Sequence, residues 1–335
     1  MKLYKFFTVL LVLATISSAN LSNANATEKF APKVHVWVMS NYTWENTEGV
    51  IPNSNFNVKN ARLILKGNGA KNWGYHIMGE MVGPTDKKPM LMQAWVSYKI
   101  KPFLRFRFGQ FKYPLGAEAY SARILWKFVN PSYVTSGIVK KLGNDGSIFR
   151  DIGLEAAGEY SFSENLGGIY KLMIFNGAGA NINDNNDTKD YVAFVGMKLP
   201  MNITMGGSYY AGESGIENTE TDESAFGALL KVNHKSFTVQ AEYITAKYES
   251  NSDVEPAGFY AYGTYMVTPA IEVGARYDAF DKNKNVANVE QSRITLLAGY
   301  YLNTKSRIFL NYEIREDDLN ENLGNLLTIQ LQAAF

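Results

Sequence analysis

Two stretches of strict alternation, separated by a long stretch without it, constrain the fold of this chain more than any other feature. Bulky apolar residues alternate with polar or small ones in 104–110 and again in 152–160. This two-residue period is typical of a β-strand whose two faces meet different surroundings. The period is lost from Tyr113 to Gly146, and a stretch of that length without secondary structure is usually functional. We therefore expect two neighbouring strands of a barrel wall, with an insert (about 113–147) that folds into the barrel.

The first 26 residues match a secretory signal peptide. Lys2 and Lys5 precede an apolar core from Phe6 to Ile16, and Ala24-Asn25-Ala26 fits a cleavage site. The apolar run is shorter than the roughly 20 residues that a membrane-spanning helix needs. We expect residues 1–26 to be removed, so that the exported chain is one domain of residues 27–335.

Charge and cysteine content exclude several classes of protein. Removal of Lys2 and Lys5 from the 33 basic residues leaves 31 against 32 acidic ones, a net charge of −1. This balance gives no basic surface for nucleic acid. The chain has no cysteine, which excludes a disulfide framework and thiolate chemistry. His35, His76 and His234 lack the spacing of a zinc site, so we expect no metal and no cofactor.

The carboxyl terminus favours an outer-membrane barrel over a soluble periplasmic protein. From Leu327 to Phe335 apolar residues occupy one face, polar or small residues occupy the other, and the chain ends on an aromatic residue. This ending resembles the closing strand of bacterial outer-membrane barrels.

Alternating runs near the 9–11 residues of a transmembrane β-strand recur along the chain. The sixteen predicted strands are Lys33–Trp44, Phe56–Lys66, Trp73–Met81, Leu91–Ile100, Leu104–Phe111, Ile148–Tyr160, Gly168–Phe175, Tyr191–Leu199, Asn202–Ala211, Ser224–Asn233, Phe237–Tyr248, Gly258–Val267, Ile271–Asp278, Ser292–Asn303, Ser306–Ile314 and Leu326–Phe335.

The connections between these strands alternate in length. Tight turns such as Lys101-Pro102-Phe103 alternate with long polar loops such as 212–223 and 315–325, an asymmetry that is typical of outer-membrane barrels. The Asn/Asp tract 181–187 lacks the central Gly and closing Glu of a calcium loop. We interpret it as a solvated external loop. The prediction is an all-β transmembrane antiparallel barrel of about 16 strands.

Short motifs around the insert resemble one known family. Phe108–Gly116 (FGQFKYPLG) looks like the G-Q-F-K-x-P-x-G signature of the phosphate-selective porin O/P family. Phe149–Gly153 (FRDIG) resembles the R-D-x-G strand of that family, and Ile174–Gly179 (IFNGAG) resembles its F-N-G segment. The resemblance implies a sixteen-stranded porin of the bacterial outer membrane, assembled as a homotrimer, with an inward constriction loop. It does not fix the solute.

Basic side chains are the candidates for lining the narrowest part of such a pore. The candidate set is Arg62, Arg105, Arg107, Lys112, Arg123, Lys127, Lys140 and Lys141. From Lys112 to Asp145 the chain carries five basic residues against Glu118 and Asp145, a net charge of +3. Basic rings at a narrow point favour anions. Alternation also places acids on the inner wall, namely Glu80, Asp151, Glu155, Glu159, Glu242, Glu272 and Glu313.

The sequence thus predicts a porin that contacts outer-membrane lipid and lets small hydrophilic solutes diffuse passively, with a mild preference for inorganic anions such as phosphate. Two alternatives stay open. A non-conducting structural or adhesive barrel needs a smaller barrel with a filled lumen. An outer-membrane hydrolase needs a nucleophile with its base, or paired carboxylates, in a catalytic arrangement.

Overall fold

The structure of the protein is a computed structural model, which describes residues 31–47, 51–69, 72–82, 89–142, 148–215, 220–249, 254–319 and 323–335. The predicted signal peptide, residues 1–26, lies outside the described residues. So does the 143–147 part of the insert.

Sixteen antiparallel strands close into a barrel. Each strand pairs with its neighbours along the chain, and β16 pairs with β1, so that Trp37 stands opposite Ala334. The strands are β1 (Lys33–Asn46), β2 (Asn53–Asn68), β3 (Trp73–Glu80), β4 (Met90–Lys101), β5 (Leu104–Lys112), β6 (Arg150–Ser163), β7 (Leu166–Phe175), β8 (Asp190–Leu199), β9 (Ile203–Ser214), β10 (Thr221–Asn233), β11 (Phe237–Glu249), β12 (Ala257–Thr268), β13 (Ile271–Asp281), β14 (Glu290–Tyr301), β15 (Arg307–Asp317) and β16 (Asn325–Ala334). The predicted fold class is therefore confirmed.

Four short helical segments lie between strands in the described part of the chain. They are α1 (Ala117–Tyr120), the 3₁₀ turns Arg123–Leu125 and Pro200–Asn202, and the π-helical turn Thr135–Val139. Three of the four belong to the insert, which runs from Tyr113 to Phe149 in the structure. None of the described helices is long and apolar enough to cross a membrane.

Alternation along each strand separates an outer apolar face from an inner face. In β11, Val239 and Tyr243 are exposed, whereas Gln240, Glu242 and Ile244 are buried. An apolar outer face is what a barrel presents to the hydrocarbon of a membrane. The tight turns, such as Pro102–Phe103, lie on the same rim as both ends of the barrel, and the long loops lie on the other.

The loop between β7 and β8 is external only in part. Asn181 and Ile182 are exposed, as predicted for the Asn/Asp tract, but Ala178 and Ala180 before them are buried. The buried part is held by Asp151, whose Oδ2 accepts a hydrogen bond from the Gly179 N–H at 2.8 Å. Among the described residues, no group of three or more His, Asp or Glu side chains could hold a metal ion.

Candidate functional site inside the barrel

The insert leaves the wall through a sharp turn after β5. The Tyr113 N–H donates to Phe149 O at 3.3 Å, so that the two ends of the insert stay together. Gly116 then adopts a φ of 75°, in the left-handed region that glycine reaches without steric cost. Pro114, two residues earlier, has a fixed φ and no N–H to satisfy. Pro114 and Gly116 thus suit a sharp exit from the sheet, and α1 begins directly after Gly116.

The insert lies inside the barrel. The Val129 N–H donates to Asn311 Oδ1, and Asn130 Nδ2 donates to Glu313 Oε1, both at 2.8 Å. Asn311 and Glu313 are buried, whereas Leu310 beside them is exposed on the outer face. Contacts with the inner face of β15 are possible only from within the barrel.

An apolar contact holds one side of the insert to the wall. Leu115, Ile138 and Val139 of the insert are fully buried, and they pack in one cluster with Ile244 and Tyr260 of the inner wall. Strand alternation predicts polar or small side chains on the inner face. The inner face carries bulky apolar residues in this region because they cover the apolar residues of the insert.

A buried ion network holds the other side of the insert to β13, β14 and β15. Arg276 donates to Asp278 Oδ2 at 2.8 Å and to Glu118 Oε1 of the insert at 3.2 Å. Arg293 bridges Asp278 and Glu313, at 3.2 and 3.1 Å. The Arg293 Nη2 also donates to a backbone oxygen of the insert, Pro131 O, at 2.7 Å.

Several predicted pore residues on the wall are paired with carboxylates. Arg62 Nε lies 2.7 Å from Glu80 Oε2. Glu155 accepts hydrogen bonds from both Arg105 and Arg107, at 3.1 and 2.7 Å. Arg107 and Glu155 stand directly opposite each other on β5 and β6. This register explains why the carboxylate reaches both guanidinium groups.

Four cations lie close together where the insert meets the wall. This cationic cluster consists of Arg62, Lys112, Arg123 and Arg150, whose charges act on one another. Lys112 Nζ donates to the backbone oxygens of Ala119 and Ser121, both at 2.5 Å. Arg150 Nη1 donates to Ile148 O at 2.6 Å. Within the described residues, no carboxylate lies within 4 Å of the charged groups of Lys112 or Arg150.

Arg123 is the member of the cationic cluster that water reaches, because its side chain is only half-buried. Its guanidinium lies over the Trp126 ring, 4.9 Å from the centroid. Its Nη2 donates to Val129 O at 3.3 Å. Burial, together with the nearby charge of Arg62, lowers the pKa of Arg123 to about 10. The group therefore stays charged at neutral pH.

Comparison with known proteins identifies the family to which the chain belongs. A family model described as "Phosphate-selective porin O and P" matches residues 39–335, which is nearly all of the barrel. The chain belongs to this family. This porin is accordingly a protein of the bacterial outer membrane, and its barrel is that of a diffusion channel. A search of curated proteins found no match.

Solved porins share the barrel of this family member at low sequence identity. An anion-selective porin from Comamonas acidovorans superposes with a TM-score of 0.71 at 13% identity, over 91% of this chain and 99% of that one. OmpT from Vibrio cholerae, described in a trimer form, superposes with a TM-score of 0.63 at 12% identity, over 91% of this chain and 100% of that one. OmpF from Salmonella typhi, in complex with daunomycin, superposes with a TM-score of 0.63 at 11% identity, over 92% of this chain and 98% of that one.

The remaining predicted pore residues of this porin lie apart from the cationic cluster. Lys127 Nζ lies 2.6 Å from Glu272 Oε1 on β13, and it also donates to the Tyr301 hydroxyl at 3.3 Å. Lys140 and Lys141 follow the π-helical turn, where the first is half-buried and the second is exposed.

Two cations that act on Arg123 were missing from the candidate set. Arg150 belongs to the FRDIG motif, where strand alternation resumes, and the sequence places it in the predicted strand Ile148–Tyr160. Lys59 lies at a register shift between β1 and β2, and its charge acts on Arg123 and Glu313. A bulge of this kind reverses the inside–outside order of a strand, so that alternation alone could not place Lys59.

Proposed function

We propose that this porin lets small hydrophilic solutes diffuse passively through the outer membrane, with a mild preference for anions such as phosphate. The observation that carries the preference is the cationic cluster beside the insert. Among the described residues, two carboxylates act on the charges of this cluster, Glu80 and Glu118, and they are fewer than its four cations. The excess positive charge lies inside the barrel, where any solute that crosses must pass.

The charges of Lys112 and Arg150 matter although the two groups are buried. Their hydrogen bonds go to backbone oxygens, which satisfy the donors without adding a compensating negative charge. A field of this kind is focused by low-dielectric walls, and at moderate salt it reaches about 10 Å. Arg123 and the exposed Lys59 then present positive charge directly to water in the barrel.

The paired cations of the wall contribute less to selectivity. Arg62 and Lys127 each have a carboxylate within 2.7 Å. Arg105 and Arg107 share the single carboxylate of Glu155, which leaves one positive charge in excess. We therefore assign the preference for anions to the region between the insert and β2, and we call it mild because most of the wall is neutralised.

We infer a channel without catalytic activity. His76 stacks on the Trp95 ring, with centroids 5.3 Å apart, and thus resembles a packing residue more than a catalytic base. The carboxylates of Asp151 and Glu155 accept hydrogen bonds that hold the loops and the wall together. A homotrimer is the assembly that we propose, because closed rotational symmetry is the rule for such assemblies and a structurally similar outer-membrane protein is described in a trimer form.

The test is the reversal potential of single channels in a salt gradient. The double variant Arg123→Glu with Lys59→Glu changes the net charge beside the insert by −4, because each replacement exchanges a positive charge for a negative one. We expect the reversal potential to move toward cation selectivity. A matched control, Lys101→Glu with Lys305→Glu, makes the same change at two exposed positions on the short-turn rim. Equal reversal potentials in the two double variants would refute the assignment, and absence of any conductance in the native protein would refute the channel.

A further inference from the structure

A cavity of about 220 Å³ lies beneath α1, inside the barrel. Its roof is formed by Ala117, Tyr120 and other residues of the insert, and its walls by inner-face residues of β6 to β11. Drug-sized ligands occupy cavities of roughly 300–1,000 Å³. The cavity is therefore large enough for a small organic molecule only.

One cation faces this cavity. Lys171 Nζ lies 3.7 Å from the centroid of the Tyr120 ring and 5.2 Å from that of Phe194. In the part of the chain that the structure describes, no carboxylate lies within 4 Å of this ammonium group. Its N–H donors that do not point at a ring are thus available to a ligand, while the two rings hold the side chain in place.

The carboxylates around Lys171 are already engaged. Glu155 is bound by two arginines, so that three cations on this wall face one carboxylate. Glu242 accepts hydrogen bonds from the Ala117 N–H at 2.6 Å and from the Tyr260 hydroxyl at 2.9 Å. Glu159 is paired with Lys198 at 2.6 Å. Together the four cations of this region, Lys171, Arg105, Arg107 and Lys198, and its three carboxylates leave a net charge of +1 for an incoming anion.

The rest of the lining is largely apolar. Ile169, Phe194 and Leu229 contribute apolar side chains, and Gly206 and Gly227 leave the floor open. A side chain at Gly227 would start 2.7 Å from the Ser208 hydroxyl, so that the absence of one keeps the cavity open. Walls of this kind do not replace the hydration shell of a phosphate dianion, but they do favour the apolar body of an organic acid.

We propose that the cavity is a binding site for small organic monocarboxylates with an apolar body, in which Lys171 pairs with the carboxylate and Phe194 and Leu229 contact the body. The inference rests on the proposed channel, because such a solute reaches the cavity from the lumen. It adds a class of solute that the cationic cluster does not account for.

Benzoate is the probe, and binding is measured by calorimetry on the detergent-solubilised full chain, so that the result does not depend on conduction. We expect saturable binding of benzoate, weaker binding of acetate and of benzyl alcohol, and no competition by inorganic phosphate at equal concentration. Lys171→Met should weaken benzoate binding at least about tenfold, the loss expected for one charge-assisted hydrogen bond. Lys305→Met, at an exposed turn, is the matched control and should bind as the native chain does.

A second variant separates the two halves of the site. Phe194→Ala keeps the ammonium and removes apolar wall, so it should reduce the preference for benzoate over acetate. The shift in gel mobility on heating shows that each variant forms a barrel. Equal affinity for benzoate and acetate in the native chain, or full benzoate binding by Lys171→Met, would overturn the inference. Channel conductance in KCl without benzoate binding would refute this site alone, whereas benzoate binding without conductance would refute the proposed function.

Discussion

Replacing Arg276 by Met should loosen the insert and leave the barrel wall intact. The guanidinium donates to Glu118 Oε1 at 3.2 Å and to Asn130 O at 3.1 Å, both in the insert, and to Asp278 Oδ2 at 2.8 Å. It also lies over the Phe128 ring, 4.8 Å from the centroid. Met is of similar length and fills much of the same space, so the change removes charge and hydrogen bonds more than volume.

The magnitude follows from what each partner retains. Breaking a buried ion pair by removing one member typically costs 3–5 kcal/mol. Asp278 keeps Arg293 at 3.2 Å, and Glu118 keeps the Ser132 N–H and hydroxyl, both at 2.7 Å. We therefore expect the loss in the free energy of docking the insert to lie at the lower end of this range, about 3 kcal/mol. At 1.4 kcal/mol per factor of ten, this changes the ratio of docked to undocked insert by about a hundredfold.

The assay uses the absence of cysteine in the chain. A single cysteine at Leu125, whose side chain in the insert is 66% exposed, carries a spin label that reports local mobility. Label mobility and open-channel current noise should both rise in Arg276→Met. Arg315→Met is the matched control, because Arg315 donates to Gly324 O at 2.7 Å, outside the insert. Spectra and noise indistinguishable from the native protein would refute the view that this network anchors the insert.

Two further predictions rest on the structure, one on the comparisons with known proteins and one on the sequence. Gly116→Ala places a side chain at a φ of 75°, so it should lower the free energy of unfolding of the barrel by about 1–2 kcal/mol in thermal unfolding. Gly263→Ala is the control, because the space at its Cβ position is open, and it should change the stability little. Equal changes in unfolding temperature in the two variants would contradict the role of the turn. Glu80→Ala removes the carboxylate that pairs with Arg62, so the reversal potential should move further toward anions, and an unchanged potential would count against the cationic cluster. Native mass spectrometry in detergent should find a trimer rather than a monomer alone. Amino-terminal sequencing of the outer-membrane fraction should begin at Thr27, and an intact Met1 would exclude cleavage.

The strands could be predicted from the sequence because the outer face of a membrane barrel wall contacts hydrocarbon, whereas its inner face contacts the lumen. This difference imposes the two-residue period wherever the wall crosses the membrane. The predicted ends are less accurate. The prediction ended one strand at Ala211, whereas β9 continues to Ser214 and pairs there with Thr221. Backbone pairing continues beyond the membrane. The two faces of a strand no longer meet different surroundings there, so the alternation of apolar and polar residues ends before the strand does.

The roles of individual cations could not be predicted in the same way. Alternation places Arg107 on the inner face, but it does not show that Glu155 stands opposite. Lys127 and Glu272 are 145 residues apart in sequence, and no local pattern links them. Lys112 was predicted to face the solute, and its ammonium binds backbone oxygens of α1 and the residue after it. These pairings depend on how the insert docks, which follows from tertiary contacts and not from local periodicity.

The way the insert is anchored explains where charge can act on a solute. Its apolar side is covered by inner-face residues such as Phe175 and Tyr260. Its backbone binds inner-face side chains of the last strands, as Arg307 Nη2 shows by donating to Ile124 O at 2.8 Å. An insert held firmly on these sides fixes Arg123 toward β2, where Lys59 lies. Selectivity in such a barrel depends less on how many basic residues the insert contains than on which of them remain without a carboxylate once it is docked.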